Sequence, residues 1–304
     1  MNKIKILLTG ASGFVGKNFI KAFSDEFSIE PISLRNTSIE NTDLKGVNAV
    51  VHLAGKAHDL KKVSKPEDYY EINTELTRKI YDKFLASDAS VFIAISSVKA
   101  VTDKVTGTLT EETRPDPKTH YGKSKLLAEE YIFSKPIPVN KRVYVLRPCM
   151  IHGEGNKGNL NLLYQIVKRG IPYPLGAFEN KRSFLSVGNL NFVFNQLITR
   201  SDIPSGIYNV ADNEALSTNT LISIMSDSLN KKTKISYVNP SLVRSIAKIG
   251  NILHLPLNEE RLQKMTENYV VDNAKILKVL KQPLPISSKE GLKRTFQAFA
   301  NEKK

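Results

Sequence analysis

Short apolar runs alternate with amphipathic segments through the first half of the chain. The runs have the length of buried strands, and the segments between them repeat apolar residues every three or four positions, as helices do. Strands are predicted at 4–8, 29–34, 49–53, 91–95 and 143–146. Helices are predicted at 14–24, 73–85 and 122–133, and the last two have the clearest pattern. Because strand, helix and strand follow one another, the pattern favours right-handed crossovers and one parallel sheet covered by helices, a doubly wound α/β fold.

The pattern changes near residue 150. Beyond Arg147-Pro148 the alternation is lost, and loops rich in Gly, Asn and Pro separate shorter elements. We therefore predict a first domain over 1–150 and a smaller lobe over 151–304, with some segments of the lobe crossing back. The stretch 34–49 is short and polar, so we expect the strand that usually lies there in such folds to be brief or absent.

Composition narrows the class of protein. The 304 residues are 41% hydrophobic, which is enough for a large core. The single cysteine, Cys149, excludes an intramolecular disulfide and agrees with a reducing compartment. The apolar N-terminal run leads straight into a glycine-rich turn, which indicates a strand rather than a signal peptide. No apolar stretch approaches the roughly 18 residues that cross a bilayer, so we expect a cytoplasmic protein without an integral membrane segment. The five histidines lack metal-ligand spacing, and no metal is expected.

Positive charge is concentrated towards the C-terminus. The chain has a net charge of +14, and residues 231–304 hold fifteen Lys and Arg against six Asp and Glu. These basic residues are interleaved with apolar ones at helical spacing, and no nucleic-acid-binding motif accompanies them. A solvated face is the main interpretation, and no nucleic-acid partner is expected. Attraction for anionic substrates or for an anionic membrane surface stays open.

A glycine-rich turn follows the first predicted strand and opens the first predicted helix. Residues 9–16 read Thr-Gly-Ala-Ser-Gly-Phe-Val-Gly, in the strand–turn–helix setting that binds a dinucleotide. The first glycine permits the tight turn, the second admits the pyrophosphate, and the third lets helix and strand pack closely. Free N–H groups at the start of the helix would bind the phosphates. The predicted cofactor-binding residues here are Thr9, Gly10, Ser12, Gly13, Phe14, Val15 and Gly16.

The end of the second predicted strand bears on the choice of cofactor. A carboxylate there usually binds the ribose hydroxyls of NAD, whereas a cation favours the 2′-phosphate of NADP. The strand ends Ser33-Leu34-Arg35, with no acidic residue. Arg35 is therefore a predicted cofactor contact. NADP(H) is favoured, and NAD(H) stays open.

Tyr121 and Lys125 lie four residues apart where a helical pattern begins, so their side chains share one face. An ammonium beside a phenol lowers the phenol's pKa towards neutrality and makes it a usable acid or base. Ser97 follows the strand predicted at 91–95, at the edge where parallel sheets bind ligands. Its hydroxyl would hydrogen-bond the same substrate oxygen. We therefore predict that Ser97, Tyr121 and Lys125 are catalytic.

Taken in order, the motifs resemble a known family over nearly the whole chain. The resemblance rests on the glycine turn, His52-Leu53-Ala54-Gly55, Asn73, Ser96-Ser97, Tyr121-x-x-x-Lys125 and Leu146-Arg147-Pro148. As a set they are similar to the extended short-chain dehydrogenases called NAD-dependent epimerase/dehydratases. The resemblance implies a Rossmann-type dinucleotide-binding domain, a nucleotide-sugar lobe, and an Asn73 that supports the active-site helix. It also implies dinucleotide contacts from Leu53, Ala54, Gly55, Lys125 and Pro148.

Residues near the catalytic set separate the reactions of this family. The 4,6-dehydratases carry an Asp-Glu pair directly after the active-site serine or threonine, and this chain has Val98-Lys99 instead, so dehydration is not expected. The 4-epimerases often carry Val-Tyr-Gly a little further on, where this chain has Val101-Thr102-Asp103.

A narrower resemblance points to one reaction. It rests on Ser96-Ser97-Val98-Lys99, His58, the loop 155–160 and the segment 180–183, Asn-Lys-Arg-Ser. Together these are similar to the bacterial reductases of UDP-linked 4-keto-6-deoxy amino sugars, which serve surface polysaccharide synthesis. The resemblance implies that NADPH reduces C4 while Tyr121 protonates the oxygen. It also implies that Ser97, Asn159 and Arg182 bind the UDP-sugar.

Alternatives remain at this point. A UDP-sugar 4-epimerase would use the same catalytic residues with tightly bound NAD, and a catalytically silent member would sense NADP(H) and bind a protein. Arg261, Lys264 or neither supplies a second phosphate contact. By analogy with the family, a homodimer through the helices at 73–85 and 122–133 is an expectation.

Overall fold

The computed structural model describes residues 3–33, 42–56, 65–156, 159–252 and 258–301. The strands are β1 (Lys5–Thr9), β2 (Ser28–Ile32), β3 (Ala49–His52), β4 (Val91–Ile95), β5 (Thr108–Leu109), β6 (Arg142–Pro148), β7 (Met150–His152), β8 (Phe184–Ser186), β9 (Gly206–Val210) and β10 (Val270–Val271). The α-helices are α1 (Phe14–Phe23), α2 (Pro66–Tyr70), α3 (Leu76–Leu85), α4 (His120–Ser134), α5 (Asn159–Lys168), α6 (Val187–Thr199), α7 (Thr218–Ser228), α8 (Pro240–Ile252), α9 (Glu259–Thr266), α10 (Ala274–Leu280) and α11 (Ser288–Asn301). No helix in these ranges is long and apolar enough to span a bilayer.

Within the described ranges, six strands form one parallel sheet in the order β2-β1-β3-β4-β6-β9. The chain moves from β1 to one side for β2 and to the other side for β3, and doubly wound sheets bind ligands at this point of reversal. The predicted doubly wound parallel fold is confirmed. In the described part of the chain no strand lies beyond β2, and an edge strand tolerates Pro31 because it pairs on one side only.

The five predicted strands are β1, β2, β3, β4 and β6, with boundaries that shift slightly. The helix predicted at 73–85 differs more. Helical structure begins at Pro66, a residue suited to the first turn of a helix, and passes through a wide turn of π-helix, Glu71–Glu75, into α3. π-Turns are often found at functional sites, and this one contains Asn73.

Alternate residues of each strand pack on opposite faces of the sheet, as the two-residue period of a strand requires. Leu7 and Phe92 belong to a buried cluster with residues of α3 on one face. Leu8 and Ile93 belong to a cluster with residues of α1 and α6 on the other. Both faces are therefore apolar, which explains why the strands appear as continuous hydrophobic runs in the sequence.

Segments after residue 150 contribute to both parts of the molecule. The edge strand β9 pairs with β6 in the main sheet, and α6 packs on α1 through Phe194 and Phe19. A separate apolar cluster is formed by residues of α5, α7, α8 and α11. The chain thus returns to the first domain after starting the second lobe. The boundary near residue 150 stays a prediction.

Candidate active site

The glycine turn packs directly against the segment that follows β3. Gly10 has a φ of +72°, and a Cβ there would lie 2.6 Å from the backbone nitrogen of Ala54. A Cβ on Gly16 would lie 2.7 Å from the Cα of Ala11. The N-cap of α1, Gly13, provides no side-chain cap, and the first turn has no acidic residue. The N–H groups at this helix start therefore suit an anion such as a phosphate.

A buried chain of hydrogen bonds links this turn to the π-turn. The Thr9 hydroxyl accepts the Ala54 N–H at 3.1 Å and lies 2.8 Å from Nδ1 of His52. Nε2 of His52 lies 3.0 Å from the Thr77 hydroxyl, which donates to the carbonyl of Asn73 at 2.7 Å. Because the Thr77 hydroxyl donates its proton to Asn73, it accepts a hydrogen bond from His52. The ring proton of His52 therefore lies on Nε2. Burial lowers the pKa of His52 to about 3, so the ring is neutral.

Asn73 connects the segment after β3 to α4. Its Oδ1 accepts the Lys56 N–H at 2.8 Å, and its Nδ2 donates to the Lys56 carbonyl at 3.1 Å and to the Ser124 hydroxyl at 3.0 Å. Thr74 adds a hydrogen bond to the Ser124 carbonyl at 2.8 Å. Asn73 is fully buried, so these contacts fix the active-site helix relative to the sheet.

Ser97 and Tyr121 meet at the carboxyl end of β4. Ser97 caps the 3₁₀ turn Val98–Ala100, where its hydroxyl accepts the Lys99 N–H at 3.1 Å. Burial raises the pKa of Tyr121, and a hydrogen bond with Ser97 acts in the opposite direction. The expectation that the Lys125 ammonium lowers this pKa towards neutrality is wrong, because burial is the largest influence on the phenol and raises its pKa.

Lys125 lies one helical turn after Tyr121 and is buried. Its ammonium donates to the Ile95 carbonyl at 2.8 Å, and burial lowers its pKa to about 8. A Cβ on Gly55 would lie 2.9 Å from Nζ of Lys125. Glycine at 55 therefore admits the ammonium, and the structure brings the predicted set of Ser97, Tyr121 and Lys125 together beside the segment after β3.

A buried ion pair beneath this set was not predicted from the sequence. Nη2 of Arg147 lies 2.5 Å from Oε2 of Glu129, and the two side chains are 4% and 3% exposed. Nε of Arg147 lies 3.1 and 3.0 Å from the two carboxylate oxygens, and the Ser96 hydroxyl also donates to Glu129. Glu129 lies one turn after Lys125 on α4. The four-residue spacing was the available signal for a carboxylate on the buried side of the active-site helix.

Arg182 lies on a segment that the second lobe holds against the catalytic loop. Its backbone exchanges two hydrogen bonds of 2.9 Å with Leu216 and forms a bridge to Tyr269. The Tyr269 hydroxyl donates to the Thr102 carbonyl at 2.7 Å, just beyond Ser97 in the chain. The Arg182 side chain is 24% exposed, and its Nη2 lies 3.9 Å from Oε1 of Glu267. Burial lowers the pKa of Arg182.

The remaining predicted contacts are distributed around the same sheet edge. Leu53 is half-buried just after β3, and Pro148 is buried at the end of β6. Ser12 is exposed, and Phe14 and Val15 are half-buried at the start of α1.

The other candidate residues lie in helices of the second lobe or outside the described residues. Asn159 begins α5, and Lys264 belongs to α9 with Arg261. Arg35, His58 and residues 157–158 of the loop 155–160 lie outside the described residues. Cys149 is buried, and burial raises the pKa of its thiol. No group of three His, Cys, Asp or Glu side chains suited to a metal occurs in the described ranges.

The doubly wound sheet, the glycine turn and the Ser-Tyr-Lys set together define a dinucleotide-binding enzyme of the dehydrogenase type. The profile of the NAD dependent epimerase/dehydratase family matches residues 6–211, and the chain belongs to this family. Nucleotide-sugar epimerases and nucleotide-sugar reductases are both among its relatives. The resemblance stated from the motifs is therefore confirmed at the level of the family.

Individual relatives cover most of the chain. It is 28% identical to a UDP-glucose 4-epimerase of Vibrio cholerae, over 97% of this chain and 95% of that protein. It is 31% identical to an N-acetyl-α-D-glucosaminyl-diphospho-ditrans,octacis-undecaprenol 4-epimerase of Escherichia coli O157:H7, over 75% and 73% of the two chains. The structure of RMD from Pseudomonas aeruginosa complexed with NADPH superposes with a TM-score of 0.72 at 21% identity, over 97% of this chain and 98% of that chain. Other solved structures of this fold contain NAD.

Proposed function

We propose that this protein reduces the C4 keto group of a UDP-linked 4-keto-6-deoxy-N-acetylhexosamine with NADPH. The observation that carries the proposal is the position of the Tyr121 phenol beside Ser97 at the carboxyl end of β4. Burial raises the pKa of Tyr121, and Ser97 is its hydrogen-bonding partner. The phenol therefore keeps its proton at neutral pH. Reduction of a ketone needs a proton donor at the oxygen, whereas the first step of an epimerisation needs a base that removes a proton from a hydroxyl.

The residues present fit a dinucleotide. The uncapped start of α1 suits the pyrophosphate, and close packing leaves room only for glycine at 10 and 16. Gly55 leaves space beside Nζ of Lys125, where the nicotinamide ribose would lie by family resemblance. NADPH bound there would supply the hydride. Within the chain, Ser97 orients the keto oxygen, Tyr121 donates the proton, and the Lys125 ammonium stabilises the phenolate that forms.

The preference for NADPH rests on Arg35. Replacing Arg35 with Ala should weaken NADPH binding by about 1 to 3 kcal/mol, the range for hydrogen bonds to charged groups, and leave NADH binding nearly unchanged. Titration of both cofactors by intrinsic fluorescence measures the difference. Equal losses for the two cofactors would refute this role of Arg35.

The diphosphate of the sugar nucleotide is assigned to Arg182 and Asn159. Arg182 is half-buried, and its guanidinium offers paired N–H donors suited to phosphate oxygens. Asn159 lies at the start of a ten-residue helix, where backbone N–H groups favour an anion. The segment carrying Arg182 connects through Tyr269 to the loop after Ser97. A nucleotide held by Arg182 would therefore present its sugar towards Tyr121.

A 4-epimerase is the second candidate. It is favoured by the relatives, because the Vibrio cholerae protein that aligns over 97% of this chain is a UDP-glucose 4-epimerase. An epimerase would use the same three residues and would return the hydride to the opposite face of a rotated 4-keto sugar. It would retain its NAD through the cycle.

One pair of assays separates the two reactions. The purified protein is mixed with NADPH and enzymatically prepared UDP-4-keto-6-deoxy-N-acetylglucosamine, and the NADPH absorbance is followed. The ketoreductase consumes one NADPH for each sugar reduced. In parallel, UDP-glucose and UDP-N-acetylglucosamine are incubated without added cofactor, and the denatured protein is examined for released NAD. Interconversion of C4 epimers, bound NAD and no consumption of NADPH would overturn the proposed reduction.

A further inference from the structure

An aliphatic stripe lies exposed on α8. Leu242, Ile246 and Ile249 are spaced by four and three residues, which places them on one side of the helix. They are 55%, 44% and 52% exposed. The adjacent side of the helix, with Val243 and Ala247, is buried against the second lobe. The helix therefore has one apolar side that packs in the core and a second apolar side that is exposed.

The segment that carries this stripe is basic. Residues 229–258 contain five Lys and Arg and no Asp or Glu, and the acidic Glu259 that follows contacts Asn251 at the C-terminal end of α8. All five are exposed: Lys231, Lys232, Lys234, Arg244 and Lys248. The strand-like stretch that carries the three lysines pairs with residues 173–176, and it ends at Tyr237, which is 71% exposed. We call the three aliphatic residues, Tyr237 and these five basic residues the α8 face.

We propose that the α8 face docks the protein on the surface of an anionic phospholipid membrane. A helix that lies at a bilayer surface inserts aliphatic side chains at the boundary between headgroups and acyl chains, and its basic residues contact lipid phosphates. Leu242, Ile246 and Ile249 supply the first interaction, and the basic residues supply the second. Tyr237 has the apolar ring and polar hydroxyl that suit the same boundary. The inference does not depend on the proposed reaction.

The charge of the face argues against two other occupants. A second copy of the chain seated on the same face would bring five more positive charges against the first five, with no acidic residue in either segment to compensate. A nucleic acid would satisfy the charges, but single strands are held by aromatic stacking and duplexes by polar contacts. Neither uses a row of three aliphatic side chains. An anionic bilayer accommodates both the charge and the apolar stripe.

The test is co-sedimentation of the full chain with vesicles. Vesicles of phosphatidylglycerol and phosphatidylcholine in equal parts are compared with vesicles of phosphatidylcholine alone. We expect binding to the anionic vesicles that weakens as salt is raised. Changing Leu242, Ile246 and Ile249 together to Ser should weaken it on the order of 100-fold, because three aliphatic side chains no longer enter the boundary. Changing Lys231, Lys232 and Lys234 to Gln should weaken it by a similar factor.

Matched variants elsewhere on the surface serve as controls. Val139→Ser removes a fully exposed aliphatic side chain in the loop before β6. Changing the exposed Lys17, Lys45 and Lys123 to Gln removes the same amount of charge outside the α8 face. Both controls should bind vesicles like the unchanged protein, and thermal unfolding confirms that all variants are folded.

Three results would overturn the inference. The first is equal binding by the Ser variant and the unchanged protein. The second is a Ser variant that binds vesicles like the unchanged protein but has a different sedimentation coefficient. The stripe would then join copies of the chain. The third is a charge-dependent binding to single-stranded DNA that exceeds vesicle binding and ignores the aliphatic residues.

Discussion

Replacing Glu129 with Gln is expected to lower the pKa of Lys125. The Lys125 ammonium is buried, and burial lowers its pKa to about 8 while the Glu129 carboxylate acts in the opposite direction. In the Gln variant this carboxylate is gone, and Arg147, which pairs with it, becomes a second buried cation without a carboxylate partner. A neighbouring charge typically shifts a pKa by about 1 to 3 units. A larger share of Lys125 should therefore be neutral at pH 7.

Replacing Arg147 with Met should have the opposite effect. Methionine keeps the apolar stem and removes the guanidinium, so the Glu129 carboxylate retains the Ser96 hydroxyl and turns to Lys125 as its remaining cation. The pKa of Lys125 should then rise. Both variants lose the same ion pair, so any general loosening of the site acts in the same direction in both.

Two described neighbours of Lys125, His52 and Tyr121, do not change charge near neutral pH. On β3, His52 has its pKa lowered by burial to about 3 and stays neutral over the accessible range. Tyr121, on the same helix as Lys125, has its pKa raised by burial and stays protonated at neutral pH. The expected opposite shifts thus depend on Glu129 and Arg147.

Trace acetylation measures the pKa of Lys125 without any assumption about the reaction. Only a neutral amine reacts, and mass spectrometry of the digested protein resolves Lys125 from Lys123, which is exposed on the same helix and serves as an internal reference. If the proposed reduction is correct, the alkaline limb of its pH profile lies near the Lys125 pKa of about 8 and moves in the same two directions. Shifts of equal sign in the two variants, or none, would refute the reasoning.

Three further predictions concern single residues. Tyr121→Phe should lower turnover by roughly 10² to 10⁴ with little change in NADPH affinity, and an unchanged rate of NADPH oxidation would contradict its role as proton donor. Arg182→Ala should raise KM for the UDP-sugar far more than it lowers kcat, as steady-state kinetics would show, because a diphosphate contact remote from C4 contributes equally in ground and transition states. Lys141 donates to the carbonyls of Phe84, Ser87 and Ala89 at 3.1, 2.7 and 2.7 Å. Lys141→Met should therefore destabilise the protein by about 2 to 4 kcal/mol in urea unfolding, and a loss below about 1 kcal/mol would show that water replaces these contacts.

The central sheet and the glycine turn were predictable because their signals are local. A strand buried on both faces, such as 91–95, is apolar at every position, and the turn at 9–16 needs glycine where the backbone makes close contacts. The position of β9 was not predictable in the same way. Its five residues, Gly206–Val210, follow a long excursion through the second lobe, and nothing in their own pattern identifies β6 as the strand they pair with.

In the active site, too, local features were predictable from the sequence and features set by tertiary packing were not. The sequence places Tyr121 and Lys125 on one face of a helix, and this spacing alone suggests that the ammonium lowers the phenol's pKa. Burial reverses that conclusion, because the pKa of a group depends on everything packed around it and not only on its neighbours on the same helix. Glu129 and Arg147 are eighteen positions apart, and they pair because the fold brings their side chains on α4 and β6 together. A helical pattern predicts which residues share a face, but which charges share a buried site follows from the packing of the sheet beneath it.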